Sequence, residues 1–138
     1  MKLRMGRILT GAAALAAAAV MTTGGSASAY PDPGFDWDHI FGINSDTPAS
    51  GVRVYAEENG DYISVCDTAK DGYSAKVIVG EDGYSGDSYG MTASGGKGTC
   101  KTHKASDGAR YNLEENNGVS LKYWAKGGDN YAYFKNDH

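Results

Sequence analysis

The feature that most restricts the fold is a two-residue alternation of apolar and polar side chains, which begins after Gly51. Val52, Val54 and Ala56 would share one face of a strand, because successive side chains of a strand point to opposite faces. Gly, Asn and Asp interrupt the pattern every eight to twelve residues or so, and no helical period competes with it. The sequence therefore predicts an all-β domain over residues 51–138, an antiparallel β-sandwich of about seven short strands.

Turn residues divide this domain into strands. Residues 62–67 and 74–79 are predicted to be the two arms of a hairpin. Asp71 and Gly72 lie in the connection, and glycine reaches positive φ without steric cost. Residues 99–104 form a weaker strand.

Two more hairpins are predicted towards the end of the sequence. Residues 109–114 alternate apolar and polar side chains, and the following Asn117-Gly118 pair is a strong signal for a chain reversal. A strand over 119–123 and a turn over 126–129 lead into an aromatic strand, 130–135. We expect Tyr and Val side chains to fill the space between two sheets.

Residues 1–29 have the three parts of a secretory signal peptide. Lys2, Arg4 and Arg7 precede an uncharged apolar run, and the small residues at 27–29 match an A-x-A cleavage site. A membrane anchor is the alternative, but the run is short and rich in alanine for a hydrocarbon layer of about 30 Å. We expect cleavage after this triplet, secretion as an extracellular protein, and no membrane association after cleavage.

The charge of the remaining chain argues against a nucleic-acid partner. The sequence has 13 Lys and Arg against 17 Asp and Glu, and three of the basic residues lie in the leader. Residues 30–138 therefore have 10 basic against 17 acidic residues, a formal net charge of −7. Binding to phosphates requires a basic surface.

Cys66 and Cys100 are the only cysteines, and they predict one disulfide in an oxidising compartment. Their spacing is not that of a C-x-x-C redox motif. Closing a loop of about 35 residues stabilises a domain by roughly 3–4 kcal/mol on the chain-entropy model. We therefore interpret the pair as a structural bond and not as a metal site.

One segment of the chain contains Val65-Cys66-Asp67, followed by Asp71-Gly72 and Ser74-Ala75. It resembles a hairpin of small secreted actinobacterial proteins of uncharacterised function. The resemblance implies a β fold and secretion, and it implies no activity and no site residues.

Residues 80–98 are rich in Gly and Ser and are predicted to form a long loop that ends two residues before Cys100. Tyr84 and Tyr89 would present amphipathic rings from this loop, and Ser and Gly would adapt around them, as in binding loops. The alternative interpretation is a solvated, mobile loop without a partner.

The same loop contains a G-x-S-x-G match around Ser88. Hydrolases use this motif between a strand and a helix of a large α/β sheet, with an acid and then a histidine following. Here His103 precedes Asp107, and the sequence predicts no such helix. We expect no catalytic residues, although a small hydrolase using Ser88, or Asp82 with Asp87, stays an alternative.

Metal and cofactor sites are not predicted. Asp36 with Asp38, or Glu81 with Asp82 and Asp87, could supply oxygens to calcium, but neither set has EF-hand spacing. The three histidines occur singly. We assign the acidic residues to the solvated surface and expect no metal and no cofactor.

Residues 30–50 form a segment rich in proline and aromatic residues. Trp37, Ile40 and Phe41 would share one side of a helical turn capped by Asp36. The segment either folds back on the sandwich or docks on another molecule.

The solvent exposure of the Trp124 side chain depends on whether another segment covers it. Strand alternation places its side chain opposite the apolar face of its strand, where the segment 30–50 is a candidate cover. A β-bulge turning the ring inward is the other interpretation.

Taken together, these features predict a secreted, non-enzymatic binding or inhibitor-like module. Its candidate contacts are Tyr84, Tyr89, Trp124 and Trp37. The expected partner is an extracellular protein or glycan, and the expected state is a monomer. A structural protein of the cell surface or matrix is the alternative.

Overall fold

The computed structural model describes residues 30–42, 49–82 and 88–138, so the predicted leader lies outside the described residues. Within these ranges the chain forms ten β-strands and two short 3-10 helices. The strands are β1 (His39–Phe41), β2 (Ala49–Ser50), β3 (Val52–Glu57), β4 (Tyr62–Asp67), β5 (Ala75–Glu81), β6 (Tyr89–Ala93), β7 (Cys100–His103), β8 (Asn117–Trp124), β9 (Lys126–Gly127) and β10 (Asn130–Asn136). The 3-10 helices are Ala105–Asp107 and Ala109–Tyr111.

Eight of these strands form two four-stranded sheets. The first sheet has the order β1-β3-β4-β7 and the second has the order β10-β8-β5-β6. All neighbouring strands are antiparallel. Strands β2 and β9 form a separate two-stranded ladder. The predicted all-β, antiparallel fold is confirmed. None of the helices in the described ranges is long and apolar enough to span a bilayer.

One hydrophobic core lies between the two sheets. The first sheet contributes Val54 and Ile63, the second contributes Val77 and Leu121, and all four are at most 1% exposed. Burial of a side chain of this size contributes about 1.5–3 kcal/mol to stability. The alternation predicted over residues 52–56 is confirmed, because its apolar side chains face this core.

The predicted hairpin of residues 62–67 and 74–79 is wrong. Strand β4 pairs with β3 and β7, whereas β5 pairs with β6 and β8 in the other sheet. Both edges of β4 are therefore already hydrogen-bonded, and the connection carries the chain across the core. The Asp71-Gly72 turn is present in this connection, with Gly72 at φ 82° and the Asp71 carboxylate accepting from the Tyr73 N–H.

The strand predicted over 109–114 is also wrong. This segment contains a 3-10 helix, and Leu113 alone is buried in the core, held by its N–H to the Asp61 carboxylate at 3.0 Å. The chain reverses at Glu115-Asn116, two residues earlier than predicted, with Asn116 at φ 62°. Asn117 and Gly118 instead begin β8 and pair with the end of β10.

Residues 80–98 are not one long loop. Strand β5 continues to Glu81, and Tyr89–Ala93 forms β6, which pairs with β5 at the edge of the second sheet. Tyr89, Met91 and Ala93 alternate with exposed residues and face the core. Glycines on both sides of this strand obscured the alternation in the sequence.

The disulfide predicted between Cys66 and Cys100 is confirmed. The two residues lie directly opposite each other on β4 and β7, with their Cα atoms 4.1 Å apart. The bond therefore joins neighbouring strands of the first sheet. It lies on the outer side of that sheet, in contact with the cluster around Trp37 and Tyr55.

Candidate binding surface

The N-terminal segment covers the outer face of the first sheet. Trp37 is 7% exposed and lies 4.5 Å from the Phe35 ring and 5.6 Å from the Tyr55 ring, centroid to centroid. Phe35 in turn meets Tyr62 edge-on at 5.2 Å. We call this surface, formed by Tyr55, Tyr62 and Cys66 under Phe35 and Trp37, the covered face.

The helical turn predicted in this segment is wrong. Residues 39–41 form β1, an edge strand that pairs with β3, and Ile40 is exposed. The segment is pinned by polar contacts as well, because His39 Nε2 lies 2.7 Å from Glu58 Oε1 and the Glu58 N–H donates to Asp38. Of the two predicted fates of the segment, folding back on the sandwich is what the structure shows. Trp37 is a packing residue, so its predicted role as a binding contact is not supported by its position.

The outer face of the second sheet carries no such cover from the described residues. The register places Tyr131, Lys122, Ile78 and Gly90 side by side across four strands, and Tyr133, Ser120 and Gly80 in the next row. We call this surface the open face; its residues are Lys76, Ile78, Gly80, Ser88, Gly90, Ser120, Lys122, Trp124, Tyr131, Tyr133 and Lys135. Tyr131 is 71% exposed, Tyr133 58% and Ile78 38%.

A shallow groove of about 300 Å³ runs across the open face. Its lining includes Ile78, Gly80, Ser88, Ser120 and Tyr131. Gly80 keeps the floor low, because a Cβ there would lie 3.2 Å from Ser120 Oγ. The Ser120 hydroxyl donates to the Gly80 carbonyl at 3.2 Å. The groove thus offers hydroxyl groups on its floor and an aromatic ring at its rim.

Tyr133 is held in place by a glycine and a carboxylate. Its side chain lies across Gly118, where a Cβ would overlap the Tyr133 hydroxyl and come 2.6 Å from Asp82 Oδ2. The hydrogen bond to Asp82 raises the pKa of the Tyr133 hydroxyl. Gly118 therefore serves a close side-chain approach and not the turn that the sequence predicted.

Lys122 is at the centre of the charged groups on the open face. Its Nζ lies 2.8 Å from Asp129 Oδ2, 5.5 Å from the centre of the Trp124 ring and 5.9 Å from that of Tyr131. The hydrogen bond to Asp129 raises the Lys122 pKa, so the amine stays protonated. Trp124 is half-buried at the edge of the core, between the two predicted states. Phe35 and Trp37 of the N-terminal segment pack on the first sheet.

The predicted loop contacts differ in outcome. Tyr84 lies outside the described residues. Tyr89 is 4% exposed and belongs to the core, where burial raises its pKa. The prediction that Tyr89 presents its ring from a loop is therefore wrong, because the alternation of β6 turns it inward.

The structure separates the serine of the G-x-S-x-G match from the histidine. Ser88 faces the groove of the open face, next to Gly80. His103 lies behind the sheet, stacked on Tyr111 at 4.0 Å and edge-on to the inward-facing Tyr89 ring at 6.5 Å. His103 Nδ1 does meet Asp107 at 3.1 Å, and this hydrogen bond lowers the Asp107 pKa. The His103–Asp107 pair therefore lies next to Tyr111, on the other side of the sheet from Ser88, and does not contact the serine.

A second depression, of about 390 Å³, lies beside the connection from β4 to β5. Its carboxylates are engaged in the local turns, because Asp67 accepts from the Ala69 N–H and Asp71 accepts from the Tyr73 N–H, each at 3.0 Å. We therefore interpret this depression as part of the local turn structure and not as a binding site. In the described part of the chain, no three His, Cys, Asp or Glu side chains converge as metal ligands would, and Asp87 lies outside that part.

Comparison of the chain with protein-family models, with curated proteins and with solved structures finds no match. The resemblance to secreted actinobacterial proteins stays a prediction. Its hairpin does not form, since the two arms belong to different sheets.

Proposed function

We propose that this protein is a secreted, non-enzymatic binding module that contacts its extracellular partner through the open face. The observation that carries the proposal is the exposure of Tyr131 and Tyr133, 71% and 58%, on a hydrogen-bonded sheet. Clustered exposed apolar groups are uncommon on soluble proteins and often mark contact sites. Tyrosine is well suited to the task, because its large amphipathic ring loses little conformational entropy on binding.

Preorganisation supports the same function. Tyr133 is hydrogen-bonded to Asp82, and Lys122 is bonded to Asp129 beside the Tyr131 ring. Side chains that are already ordered lose less freedom when a partner binds. The disulfide supports an oxidising location, in keeping with secretion.

The test compares a variant of the open face with a matched control. The double variant Tyr131→Ala/Tyr133→Ala removes both rings, and Tyr73→Ala removes a ring that is 52% exposed outside the open face. Each protein is produced from its full sequence, recovered from culture fluid and used to retain native extracellular material. We expect wild type and Tyr73→Ala to retain the same material and the double variant to lose it, with equal thermal midpoints.

Equal retention by all three proteins would contradict the proposal. In particular, cosedimentation with cell-wall polymer that ignores both rings would favour the structural alternative. Folding is monitored by the thermal midpoint, so a loss of retention without a loss of stability is attributable to the face.

A further inference from the structure

The open face concentrates positive charge in an acidic protein. Lys76, Lys122 and Lys135 lie on it, three of the ten basic residues of residues 30–138, a stretch whose net charge is −7. Among the described residues, two carboxylates lie at its rim: Asp129 forms an ion pair with Lys122, and Asp82 accepts a hydrogen bond from Tyr133. In the described part of the chain no carboxylate forms an ion pair with Lys76 or Lys135, so these two amines can pair with negative charge on a partner.

The shape of the open face suits a polymer chain better than a protein. Protein interfaces rely on anchors that insert into desolvated pockets, whereas this groove is shallow and has the Tyr131 ring at its rim. The C–H faces of sugar rings stack on aromatic side chains, and sugar hydroxyls pair with groups such as Ser88 and Ser120. Successive residues on one face of a strand are about 7 Å apart, so Tyr131, Tyr133 and Lys135 form a line of two rings and an amine.

A second copy of this protein and a membrane surface both fit the charges of the open face poorly. Stacking two copies through the open face would bring Lys76 and Lys135 towards the lysines of the second copy, a like-charge contact that is unfavourable. A broad anionic surface such as a membrane would also meet the acidic remainder of the chain. A single polysaccharide strand is narrow enough to contact the face alone.

Resting on the proposed function, we infer that the open face binds a polysaccharide whose sugar units carry carboxylate or phosphate groups. The lysines pair with the anionic groups while Tyr131 and Tyr133 stack on the sugar rings. An acidic peptide shares the charge but lacks the rings, and it is an outcome of the test.

The test measures the affinity of the full-sequence protein for matched polymers. Polygalacturonate is compared with its methyl ester, which keeps the rings and removes the charge, and with poly-L-glutamate, which keeps the charge and removes the rings. A phosphate-bearing mannan and the same mannan after dephosphorylation form the phosphate arm. We expect one of the two anionic polysaccharides to bind at least about tenfold more tightly than its uncharged form and than poly-L-glutamate.

Variants assign that binding to the face. Lys76→Gln/Lys135→Gln should weaken it about fivefold to tenfold, the scale of two exposed ion pairs. Lys97→Gln removes a charge elsewhere and should leave it unchanged. Rising salt should weaken binding by wild type more than binding by the double lysine variant.

Three results would overturn the inference: equal affinity for charged and uncharged forms, equal affinity for poly-L-glutamate, or no binding to either anionic polysaccharide. None of these removes the proposed function, which fails only if the Tyr131→Ala/Tyr133→Ala variant retains extracellular material as wild type does. The two failures are therefore distinguishable.

Discussion

The two sheets of this protein differ in what lies on their outer faces. On the first sheet, Tyr55 and Tyr62 are covered by Phe35 and Trp37 from the chain's own N-terminal segment. On the second, two tyrosines of β10 stand in solvent. The comparison shows that aromatic residues on an outer strand face serve packing where the chain returns over them. Where no described segment lies over them, as at Tyr131 and Tyr133, they stay exposed.

Removing the disulfide, which lies at the covered face, should cause the largest loss of stability. Replacing Cys66 and Cys100 by Ala is expected to lower the free energy of unfolding by roughly 3–4 kcal/mol, since the unfolded chain regains the freedom of the open loop. Denaturant unfolding measures this loss. A loss under about 1 kcal/mol would show that the bond does little for this face.

Trp37→Ala should cost about 3 kcal/mol, the lower end for truncating a buried Trp, because the ring packs on Tyr55 and Phe35. Phe41→Ala, a half-buried residue that follows in β1, is the control and should cost less. If Trp37→Ala were as mild as a surface substitution, the cover would not be a packed part of the fold.

Acid should loosen the covered face through Glu58. Burial would raise the Glu58 pKa, but hydrogen bonds from the Asp137 N–H and His39 outweigh it and hold the pKa below its usual value. A depressed folded pKa means that the stabilisation is present above the unfolded pKa of about 4.5 and is lost as pH falls through the folded value.

The Glu58→Gln variant tests this pH dependence. It should lose on the order of 1 kcal/mol at neutral pH and show a shallower loss of stability below pH 5 or so. Unfolding curves for wild type and variant at several pH values give the difference. Parallel pH profiles would contradict the role assigned to Glu58.

On the open face, Gly118→Ala should change the site while costing under about 1 kcal/mol, because the new methyl group meets the far end of an exposed side chain, Tyr133, which can turn aside. The displaced hydroxyl loses Asp82, so the pKa of Tyr133 should return towards 10.0, as followed by NMR of the ring. Gly90→Ala is the control on the same face, with 3.8 Å to its nearest neighbour, Val77 O. An unchanged Tyr133 titration would contradict the contact.

The smallest effect on stability is expected for Tyr131→Ala, within about 0.5 kcal/mol, since the ring is 71% exposed. Its thermal midpoint should match that of wild type. A cost like that of Trp37→Ala would mean that the two outer faces are packed alike, and the comparison would fail.

Much of the fold could be predicted from the sequence where local signals agree. The alternation at residues 52–56 and the Cys66–Cys100 pair each had one consistent interpretation. The partners of β4 could not be predicted, because a turn such as Asp71-Gly72 serves a hairpin and a crossing between sheets equally well. The Asn117-Gly118 pair predicts a turn, but it lies in a strand. Its glycine makes room for Tyr133, a residue distant in sequence, and a local pattern cannot show that contact.

The residues of the open face follow an alternation that is visible in the sequence, but the sequence alone does not show which side of β10 faces solvent. Alternation along β10 sets Tyr131 and Tyr133 on one side and Phe134 on the other, yet only one side could enter the core. Choosing the side requires the register with β8, which depends on long-range pairing. The burial of Tyr89 is hard to predict, because the glycine-rich composition around it hides the alternation of a five-residue strand.

The most direct test of the open face is an amide NMR titration of the full-sequence protein with polygalacturonate and with phosphate-bearing mannan. We predict that the largest shifts fall on residues 131–135 of β10 and 120–124 of β8, with little change near Trp37 and Tyr55. Shifts centred on the covered face would contradict the account, as would shifts spread evenly over the domain.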